Sequence, residues 1–386
     1  MPKPNTITIG FDAKRAAQNM TGLGAYSRFV LSSLHSIDAP LRYMLYTPSP
    51  QRAQGLSLLP PALSYTLRTP QSWPWRMVPS LWRTLGITGQ LRRDGVALYH
   101  GLSNELPLNI ARARHTRTVV TIHDLIFMRH PEWYKPIDRR IYSYKFGHAC
   151  HTADRIIAVS ECTKRDIVHY FGTDPSRIDV LYQGCNPAYR QPATDALKAD
   201  VRQRHRLPER YILYVGTIEP RKNLLLLARA LPLLRDKDIE VVAVGRRTPY
   251  ADTVEAYVRE HRLGNRFHML HGVADSDLPA IYQQAAVFVY PSRYEGFGIP
   301  LLEAISSGVP AIACTGSCLE EAGGRLSLYV DPDDAQALAN SLTQVLAYPD
   351  MRRHMIAAGH AYAARFEPCH LAMQLMDIYR KTLAGE

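Results

Sequence analysis

The chain has 386 residues, of which 46% are hydrophobic and 21% are charged. This length is generous for one domain and ordinary for two, and the composition is that of a globular protein. No apolar run approaches the roughly 20 residues of a membrane-spanning helix, and the N-terminal sequence lacks the apolar core of a signal peptide. We therefore expect two soluble domains in the cytoplasm.

Positive charge is concentrated in the first half of the sequence. Residues 1–190 contain 24 Lys and Arg against 12 Asp and Glu, whereas residues 191–386 contain 22 against 23. A basic half joined to a neutral half indicates an anionic partner for the first half. Phospholipid, polyprenyl diphosphate and nucleic acid all carry the required charge, and composition does not choose among them.

The chain begins with a predicted strand over residues 6–11, which is followed by the sequence NMTGLGAYSRFVLSSL. In it Gly22 and Gly24 precede an apolar-periodic helix that we predict from about Ala25 to Leu34. A glycine pair before a helix is as often a tight turn as a ligand site, so both glycines are candidates of the second rank.

Three of the four tryptophans lie within residues 73–93, interleaved with arginines. The tryptophans are Trp73, Trp75 and Trp82, and the arginines are Arg76, Arg83, Arg92 and Arg93. One interpretation is an amphipathic helix on a bilayer surface, with its aromatic rings at headgroup depth and its arginines on anionic lipid. The other is a helix that packs on the core and exposes a basic face to water.

Residues 119–122 predict a β-branched strand that ends directly before His123. A histidine at the end of a buried strand can enter a cleft, although such a residue alone is more often structural. In the second half, a predicted strand over residues 211–215 leads to Gly216, and Arg221 and Lys222 then bring positive charge to a helix start. A further strand over residues 239–244 ends at Gly245. Both loops are suited to phosphate, or they are ordinary surface loops.

Asp-x-Asp pairs occur at three places, and we tested each as a metal–diphosphate site. They are Asp236 with Asp238, Asp275 with Asp277, and Asp331 with Asp333. None directly ends an apolar strand, as such a site requires, so we assign no metal.

The most informative stretch is residues 287–313, which predicts a strand, a glycine-bearing loop, a helix beginning near Ile299, and a second strand. Gly296 and Gly298 bring bare backbone to the helix start, where free amides and the helix dipole favour a phosphate. Glu295 and Glu303 border the same pocket. Beside a phosphate they make sense as acceptors for sugar hydroxyls, as in a nucleotide sugar. The alternative is an acidic helix start that only complements the dipole.

The set of Glu295, Gly296, Phe297, Gly298, Pro300 and Glu303 resembles the glutamate-seven-glutamate motif of the retaining GT-B glycosyltransferases of family four. The resemblance implies that Glu295 contacts the donor hexose and that Glu303 contacts the nucleoside ribose. It places the donor diphosphate on the backbone from Phe297 to Leu301, which includes Gly298 and Ile299.

Two further phrases, TIHDL at residues 121–125 and VGTIEPRKNL at residues 215–224, resemble the same family. They imply that His123 touches the transferred sugar and that Lys222, with Arg221, neutralises the diphosphate. His123, Lys222 and Glu295 are thereby the predicted catalytic residues. Many members of the family carry an arginine at the position of Thr217. Because that arginine is absent here, this loop provides a second cation for the diphosphate only if Arg221 takes its place.

Three other regions acquire roles from the resemblance alone. Gly272 and Val273 would frame the nucleobase, Gly216 and Gly245 would approach the donor phosphates, and Gly22 and Gly24 would lie over the diphosphate and the acceptor.

Strands that alternate with helices on both sides of a polar linker predict an α/β protein of GT-B architecture, with two doubly wound Rossmann-like domains facing across a cleft. We expect an acceptor-side domain over residues 1–188 and a nucleotide-sugar-binding domain over residues 189–367. The helix at residues 368–386 should pack back on the first domain.

The predicted function is retaining transfer of a hexose from a nucleotide diphosphate sugar, without a cofactor, to a hydroxyl of a glycan or polyprenyl-linked glycan. The motifs TIHDL and VGTIEPRKN resemble those of mannosyltransferases of surface polysaccharide synthesis, and this resemblance implies GDP-mannose as the donor. We also expect peripheral binding to the inner face of the membrane. A sugar-nucleotide epimerase would use the same pocket and leave the basic aromatic stretch unexplained. A nucleic-acid-binding protein would explain only the charge.

Overall fold

The computed structural model describes residues 6–385, which divide into two compact units. The second unit is the continuous segment Cys185–Arg365, and the first contains the chain before it together with the segment that begins at Phe366. Each unit is built around one parallel β-sheet with helices packed on it.

The sheet of the first unit has seven strands in the order β3-β2-β1-β4-β5-β6-β7. These strands are β1 (Ile7–Asp12), β2 (Leu41–Tyr46), β3 (Tyr65–Arg68), β4 (Leu98–Gly101), β5 (Arg117–Ile122), β6 (Arg155–Ala158) and β7 (Ile178–Val180). The helices of this unit are α1 (Lys14–Gln18), α2 (Gly22–Ser36), α3 (Trp73–Met77), α4 (Pro79–Leu81), α5 (Ile87–Arg93), α6 (Ile126–Arg129), α7 (Pro136–Thr152), α8 (Glu161–Phe171) and the C-terminal helix α17 (Pro368–Ala384).

The sheet of the second unit has six strands in the order β10-β9-β8-β11-β12-β13. They are β8 (Tyr211–Val215), β9 (Glu240–Val244), β10 (Phe267–Leu270), β11 (Val287–Tyr290), β12 (Ala311–Cys314) and β13 (Leu328–Val330). The helices are α9 (Asp195–His205), α10 (Leu224–Ala230), α11 (Tyr250–Glu260), α12 (Leu278–Gln283), α13 (Ile299–Ser306), α14 (Leu319–Gly323), α15 (Ala335–Ala347) and α16 (Pro349–Ala363).

Both sheets have the doubly wound strand order, in which the direction of winding reverses beside the first strand. The reversal lies between β1 and β4 in the first sheet and between β8 and β11 in the second. Sheets of this kind bind ligands beyond the carboxyl ends of the strands at such a reversal. The predicted α/β class with two Rossmann-like domains is therefore confirmed, and the loops after β8 and β11 lie where a ligand is expected.

Runs of β-branched and aliphatic residues explain why the central strands form. Strand β9 (sequence EVVAV) and strand β11 (sequence VFVY) are buried along almost their whole length, as parallel strands covered on both faces must be. The C-terminal helix α17 packs against α2 in the first unit, and its buried Tyr379 makes a 2.7 Å hydrogen bond with Nδ1 of His100 in β4.

The structure corrects the prediction for Gly22 and Gly24. Both belong to the first turn of α2, which begins at Gly22, rather than to a loop before the helix. A Cβ atom on Gly24 would lie 1.7 Å from the carbonyl oxygen of Asn19. Gly24 is thus required by the close packing of two backbone segments, whereas nothing approaches the corresponding position at Gly22.

The tryptophan-rich stretch is not the single helix that both interpretations assumed. It consists of α3, α4, a π-helical turn at Trp82–Gly86, and α5. Trp82 is only 2% exposed, whereas Trp73 is 75% exposed. Arg83 is also withdrawn from the surface, because it forms ion pairs with Asp12 at 2.5 Å and Glu105 at 2.6 Å. Across residues 6–385, each helix is too short or too polar to pass through a bilayer.

Candidate active site

The predicted loop and helix of the glutamate motif are present in the second unit. Helix α13 begins at Ile299, as predicted, with Gly298 as the residue before it. Gly298 has φ 107°, and a Cβ atom there would lie 2.6 Å from the side chain of Leu319. A residue with a side chain would be strained in both respects, so glycine is needed to start the helix this way.

Glu295 is the centre of a buried hydrogen-bonded network. Its Oε1 accepts from Nζ of Lys222 at 2.5 Å, from the Ser292 hydroxyl at 2.5 Å and from the Tyr290 hydroxyl at 3.1 Å. Its Oε2 contacts Nη1 of Arg221 at 2.9 Å. Burial opposes ionisation of this carboxyl group, but Lys222 and Arg221 outweigh it and lower the pKa of Glu295 to about 2. Glu295 is consequently ionised at neutral pH.

Arg221 connects the loop after β8 to the loop before α13, which contains Glu295. Its guanidinium donates to the Tyr294 carbonyl at 2.7 Å and to Glu219 at 2.8 Å, in addition to its contact with Glu295. Its own carbonyl accepts from the backbone N–H of Arg293 at 2.9 Å. Because three partners engage this guanidinium, Arg221 positions Glu295 and is not a free cation held ready for a phosphate.

The ring of Tyr290 separates the Gly216 loop from the start of α13. Cβ atoms placed on Gly216 and Gly298 would lie 3.8 and 4.0 Å from two carbons of this ring. Lys222 Nζ lies 5.0 Å from the ring centroid and 2.5 Å from the Tyr290 hydroxyl. The ring of Tyr290, at the carboxyl end of the sheet, is therefore surrounded by four of the predicted site residues: Gly216, Lys222, Glu295 and Gly298.

Glu303 is the fifth residue of α13 and has very different surroundings. The Tyr282 hydroxyl of α12 donates to its Oε2 at 3.1 Å, and the Tyr189 hydroxyl is a second donor. Burial raises the pKa of Glu303 to about 7, and the two hydroxyl donors only partly oppose that effect. Both the neutral and the ionised form of Glu303 are thus accessible near neutral pH.

The predicted nucleobase residues lie in the turn after β10. Gly272 is exposed with φ 69°, and Val273 is half-buried. The same turn contains Asp275, whose negative charge acts on Glu303 and helps to raise its pKa. The turn is also tied to the neighbouring loop, because Nδ1 of His271 contacts the carbonyl oxygen of Gly245 at 2.7 Å. The turn that contains Gly272 and Val273 is thereby linked to Gly245, and it lies close enough to Glu303 for Asp275 to affect the pKa of that group.

In the first unit, His123 is fixed by the loop that follows β4. Its backbone N–H donates to Oδ1 of Asn104 at 2.7 Å, and its Nε2 donates to the Leu102 carbonyl at 2.9 Å. Asn104 has the left-handed φ of 63°, and its own N–H donates to the Thr121 carbonyl at 2.9 Å. The ring of Tyr26 packs edge-on at 4.5 Å, so both the position and the ring orientation of His123 are defined.

These contacts also define the protonation state of His123. Burial, assisted by Arg15, lowers its pKa to about 4, although the Leu102 carbonyl opposes the shift. The imidazole is therefore neutral at neutral pH, with its proton on Nε2. Nδ1 then carries a lone pair, which can accept a hydrogen bond but cannot donate a proton.

Sequence reasoning missed several residues that complete these sites. Ser292 and Tyr290 stand directly beside the motif, and their polar groups could have been included from the sequence. Asn104, Tyr189 and Tyr282 are distant in the sequence from the residues that they contact, and their types carry no local signal.

The Asp-x-Asp pairs are occupied by side-chain partners. Asp236 pairs with Arg210, Asp277 with Arg204 and His205, and Asp333 with Arg293. Among the residues that the structure describes, no three His, Cys, Asp or Glu side chains come together in a way that could hold a metal ion.

Two family models match this chain in succession. The model "Glycosyltransferase Family 4" matches residues 40–189, and "Glycosyl transferases group 1" matches residues 198–362. The chain belongs to this family of GT-B glycosyltransferases, and it is a glycosyltransferase.

Characterised relatives include mannosyltransferases of O-antigen synthesis. The O-antigen chain mannosyltransferase B of Escherichia coli is 34% identical over 288 residues, which cover 73% of this chain and 74% of the relative. The O-antigen chain mannosyltransferase RfbU of Salmonella typhimurium is 27% identical over 248 residues, which cover 64% and 65% of the two chains.

Solved structures resemble the fold over nearly the whole chain. A glycosyltransferase from Rickettsia africae has a TM-score of 0.78 at 17% identity and covers 99% of this chain and 100% of its own. Anabaena HepE, solved in complex with UDP and glucose, has the same score and identity and covers 97% and 100%.

Proposed function

We propose that the protein transfers mannose from GDP-mannose to a hydroxyl of a glycan or polyprenyl-linked glycan, with retention of configuration at the anomeric carbon. One observation carries this proposal: a charge-compensated Glu295 and a Glu303 whose pKa is raised to about 7 flank the glycine-led start of α13 at the reversal of the second sheet. The mannosyltransferase activity of the O-antigen relatives supports mannose as the sugar.

The donor is assigned to the second unit. The ribose hydroxyls donate to Glu303, the diphosphate lies on the backbone from Phe297 to Leu301, and the base lies against the turn at Gly272 and Val273. Glu295 accepts from a hexose hydroxyl. Its Oε1 already has three donors, whereas Oε2 has only Arg221, so Oε2 retains a lone pair for the sugar.

The reaction breaks the bond between the anomeric carbon and the diphosphate oxygen and forms a bond to the acceptor oxygen. Lys222 and the amides at the start of α13 stabilise the negative charge on the departing diphosphate. The acceptor hydroxyl passes its proton to that diphosphate and attacks from the same face. Glu295 is not available as a nucleophile on the opposite face, because it is held by four donors and two of them are cations.

His123 is assigned to the transferred sugar as a hydrogen-bond acceptor. Its neutral imidazole donates to Leu102 through Nε2, so Nδ1 accepts a hydrogen bond from a sugar hydroxyl. In this role His123 positions the sugar and does not exchange a proton with the reacting oxygen.

We assign the acceptor to the first unit and place the protein in the cytoplasm, bound peripherally to the inner face of an anionic membrane. Large apolar side chains are exposed along residues 73–85: Trp73 75%, Met77 67%, Val78 45%, Leu81 45% and Leu85 38%. Exposed Arg76, Arg92 and Arg93 flank them. Apolar side chains beside arginines match the chemistry of an anionic bilayer surface. No nucleic-acid role is proposed.

Binding to vesicles of anionic and of neutral phospholipid tests this membrane assignment. Replacing Trp73 and Met77 by Ala should weaken binding to anionic vesicles, and replacing Tyr348, which is 62% exposed in the second unit, should not. Equal binding to both vesicle types would overturn the assignment.

The donor assignment is tested by thermal unfolding with a panel of nucleotide sugars, since a true donor stabilises the folded protein by mass action. GDP-mannose should raise Tm more than UDP-glucose or ADP-glucose. NMR of the product should then show the anomeric configuration of the donor. An inverted product would refute retention, and release of free GDP without an acceptor product would favour another reaction.

A further inference from the structure

The formal charges of the ion-pair cluster at the proposed diphosphate site sum to zero. Arg221 and Lys222 are in ion-pair contact with Glu219 and Glu295, so the cluster holds two cations and two carboxylates. Nearby Arg293 is paired with Asp333 at 2.5 Å. A diphosphate that approaches this cluster therefore meets no net positive charge from it. A cation from outside the cluster would add net positive charge to the binding provided by Lys222 and the amides at the start of α13.

The backbone of Arg246 lies directly beside the Gly216 loop. Strands β8 and β9 are parallel neighbours, with Val215 paired to Val244. Their pairing continues past the strand ends, because the N–H of Gly216 donates to the Val244 carbonyl at 2.9 Å and that of Ile218 donates to the Arg246 carbonyl at 3.0 Å. Arg246 is thus the cross-strand neighbour of Thr217.

Gly245 makes this approach possible. A Cβ atom on Gly245 would lie only 1.8 Å from the carbonyl oxygen of Gly216, so no other residue fits without moving the backbone. On its other side, the Gly216 loop is separated from Gly298 by the ring of Tyr290. The backbone of Arg246 consequently borders the Gly216 loop, and that loop lies against the ring.

The side chain of Arg246 is available for a ligand. It is exposed, and within residues 6–385 it has no side-chain hydrogen bond or ion pair. The next residue differs sharply, since Arg247 contacts both Asp252 at 2.6 Å and Glu255 at 3.0 Å. The two adjacent arginines thus differ in their ion pairing: Arg247 is paired on the surface, whereas Arg246 is unpaired beside the proposed site.

We propose that Arg246 binds the diphosphate of the donor nucleotide and supplies the positive charge that the Glu295 cluster lacks. This inference rests on the proposed donor site. It replaces the expectation that Arg221 provides the second cation, because Arg221 is committed to Glu219, Tyr294 and Glu295. A guanidinium can meet two phosphate oxygens at once, which a single lysine cannot.

The test is calorimetric binding of GDP and of guanosine to the full-length protein and its variants. Arg246→Gln should weaken GDP binding about tenfold, the effect of one charged hydrogen bond, and leave guanosine binding unchanged. It should also reduce the salt dependence of GDP binding. Arg246→Lys should recover part of the affinity. Arg247→Gln is the matched control and should bind GDP like the wild type, and an unchanged Tm confirms that each variant is folded.

Unchanged GDP affinity in Arg246→Gln, or equal losses for GDP and guanosine, would overturn the proposal while the donor site stands. Equal losses of GDP affinity in Arg246→Gln and Arg247→Gln would also overturn it, by showing a general effect of surface charge. If the wild type binds neither GDP nor UDP, the proposed function itself fails.

Discussion

Two glutamates eight residues apart in one motif have opposite electrostatic environments. Glu295, in the loop before α13, accepts from four donors, two of which are cations, and its pKa lies near 2. Glu303, within α13, has two tyrosine hydroxyls and no cation, and its pKa lies near 7. Both carboxyl groups are desolvated. Their partners decide that Glu295 is ionised and that Glu303 titrates near neutral pH.

This difference in pKa means that the charge of Glu295 is fixed, whereas the charge of Glu303 depends on its surroundings. Glu295 is an anion whose position is set before any ligand arrives, which suits a group that must hold a hexose in one orientation. Glu303 gains most from a ligand that brings new hydrogen-bond donors, because such donors favour its ionised form. A ribose diol does so, and this supports the proposal that the two glutamates bind the two ends of one donor.

The largest expected effect comes from Glu295→Gln. This change keeps the size of the side chain and removes the charge that Lys222 and Arg221 surround. We expect turnover to fall roughly 100-fold, within the range for loss of one preorganised polar contact, because the hexose is no longer held in place. Initial rates at saturating donor measure the effect.

Ser292→Ala provides the control for Glu295→Gln, since it removes one hydrogen bond from the same carboxylate and leaves both ion pairs. Its loss of turnover should be much smaller. Similar losses in the two variants would mean that the loop conformation, and not the charge of Glu295, is what matters.

Glu303→Gln should change the pH dependence of stability. The folded pKa of Glu303 is above its unfolded value, so folding favours the neutral form, and this stability is present at low pH and lost as the pH rises through about 7. Above pH 7 the variant should be more stable than the wild type by about 1 to 3 kcal/mol, and near pH 4 the two should agree. Thermal unfolding from pH 4 to 9 measures this. A constant difference across that range would contradict the raised pKa.

The comparison extends to His123, because burial shifts its pKa in favour of the neutral form, as it does for Glu303. Asn104→Gly tolerates the left-handed backbone but removes the acceptor for the His123 N–H, and we expect about tenfold lower turnover. Asn104→Asp keeps the acceptor and should restore most of the activity. Its carboxylate should also raise the pKa of His123, so activity should decline at a higher pH than in the wild type as the solution is acidified. An unchanged pH profile in Asn104→Asp would contradict this positioning role.

Tyr282→Phe should have the smallest effect. The lost hydroxyl donor stabilises the ionised form of Glu303, so its removal should raise the pKa of Glu303 further and weaken GDP binding about threefold at pH 7. The loss should disappear at pH 9, where Glu303 is ionised in both proteins. A loss that persists at pH 9 would point to packing instead.

The sequence was sufficient for features that depend on neighbours along the chain. Alternating strands and helices predicted both doubly wound sheets, and Pro300 with the preceding glycines predicted the helix start at Ile299. Features that depend on distant contacts were not accessible. The sequence could not show that Asn19 makes Gly24 a packing glycine, that Asp12 and Glu105 bury Arg83, or that Tyr189 and Tyr282 reach Glu303. The sequence showed that Thr217 stands where many relatives have an arginine. It did not show that Arg246 is the neighbour of Thr217, because that depends on the pairing of β8 with β9.

The central claim is that Glu303 binds the nucleoside end of the donor and Glu295 binds the sugar end. The most direct measurement is the affinity of the two Gln variants for GDP and for GDP-mannose at pH 8, by calorimetry. Glu303→Gln should weaken both ligands by about 10- to 100-fold. Glu295→Gln should leave GDP affinity at least as high as in the wild type and weaken only GDP-mannose relative to GDP. Equal loss of GDP affinity in both variants would contradict the account.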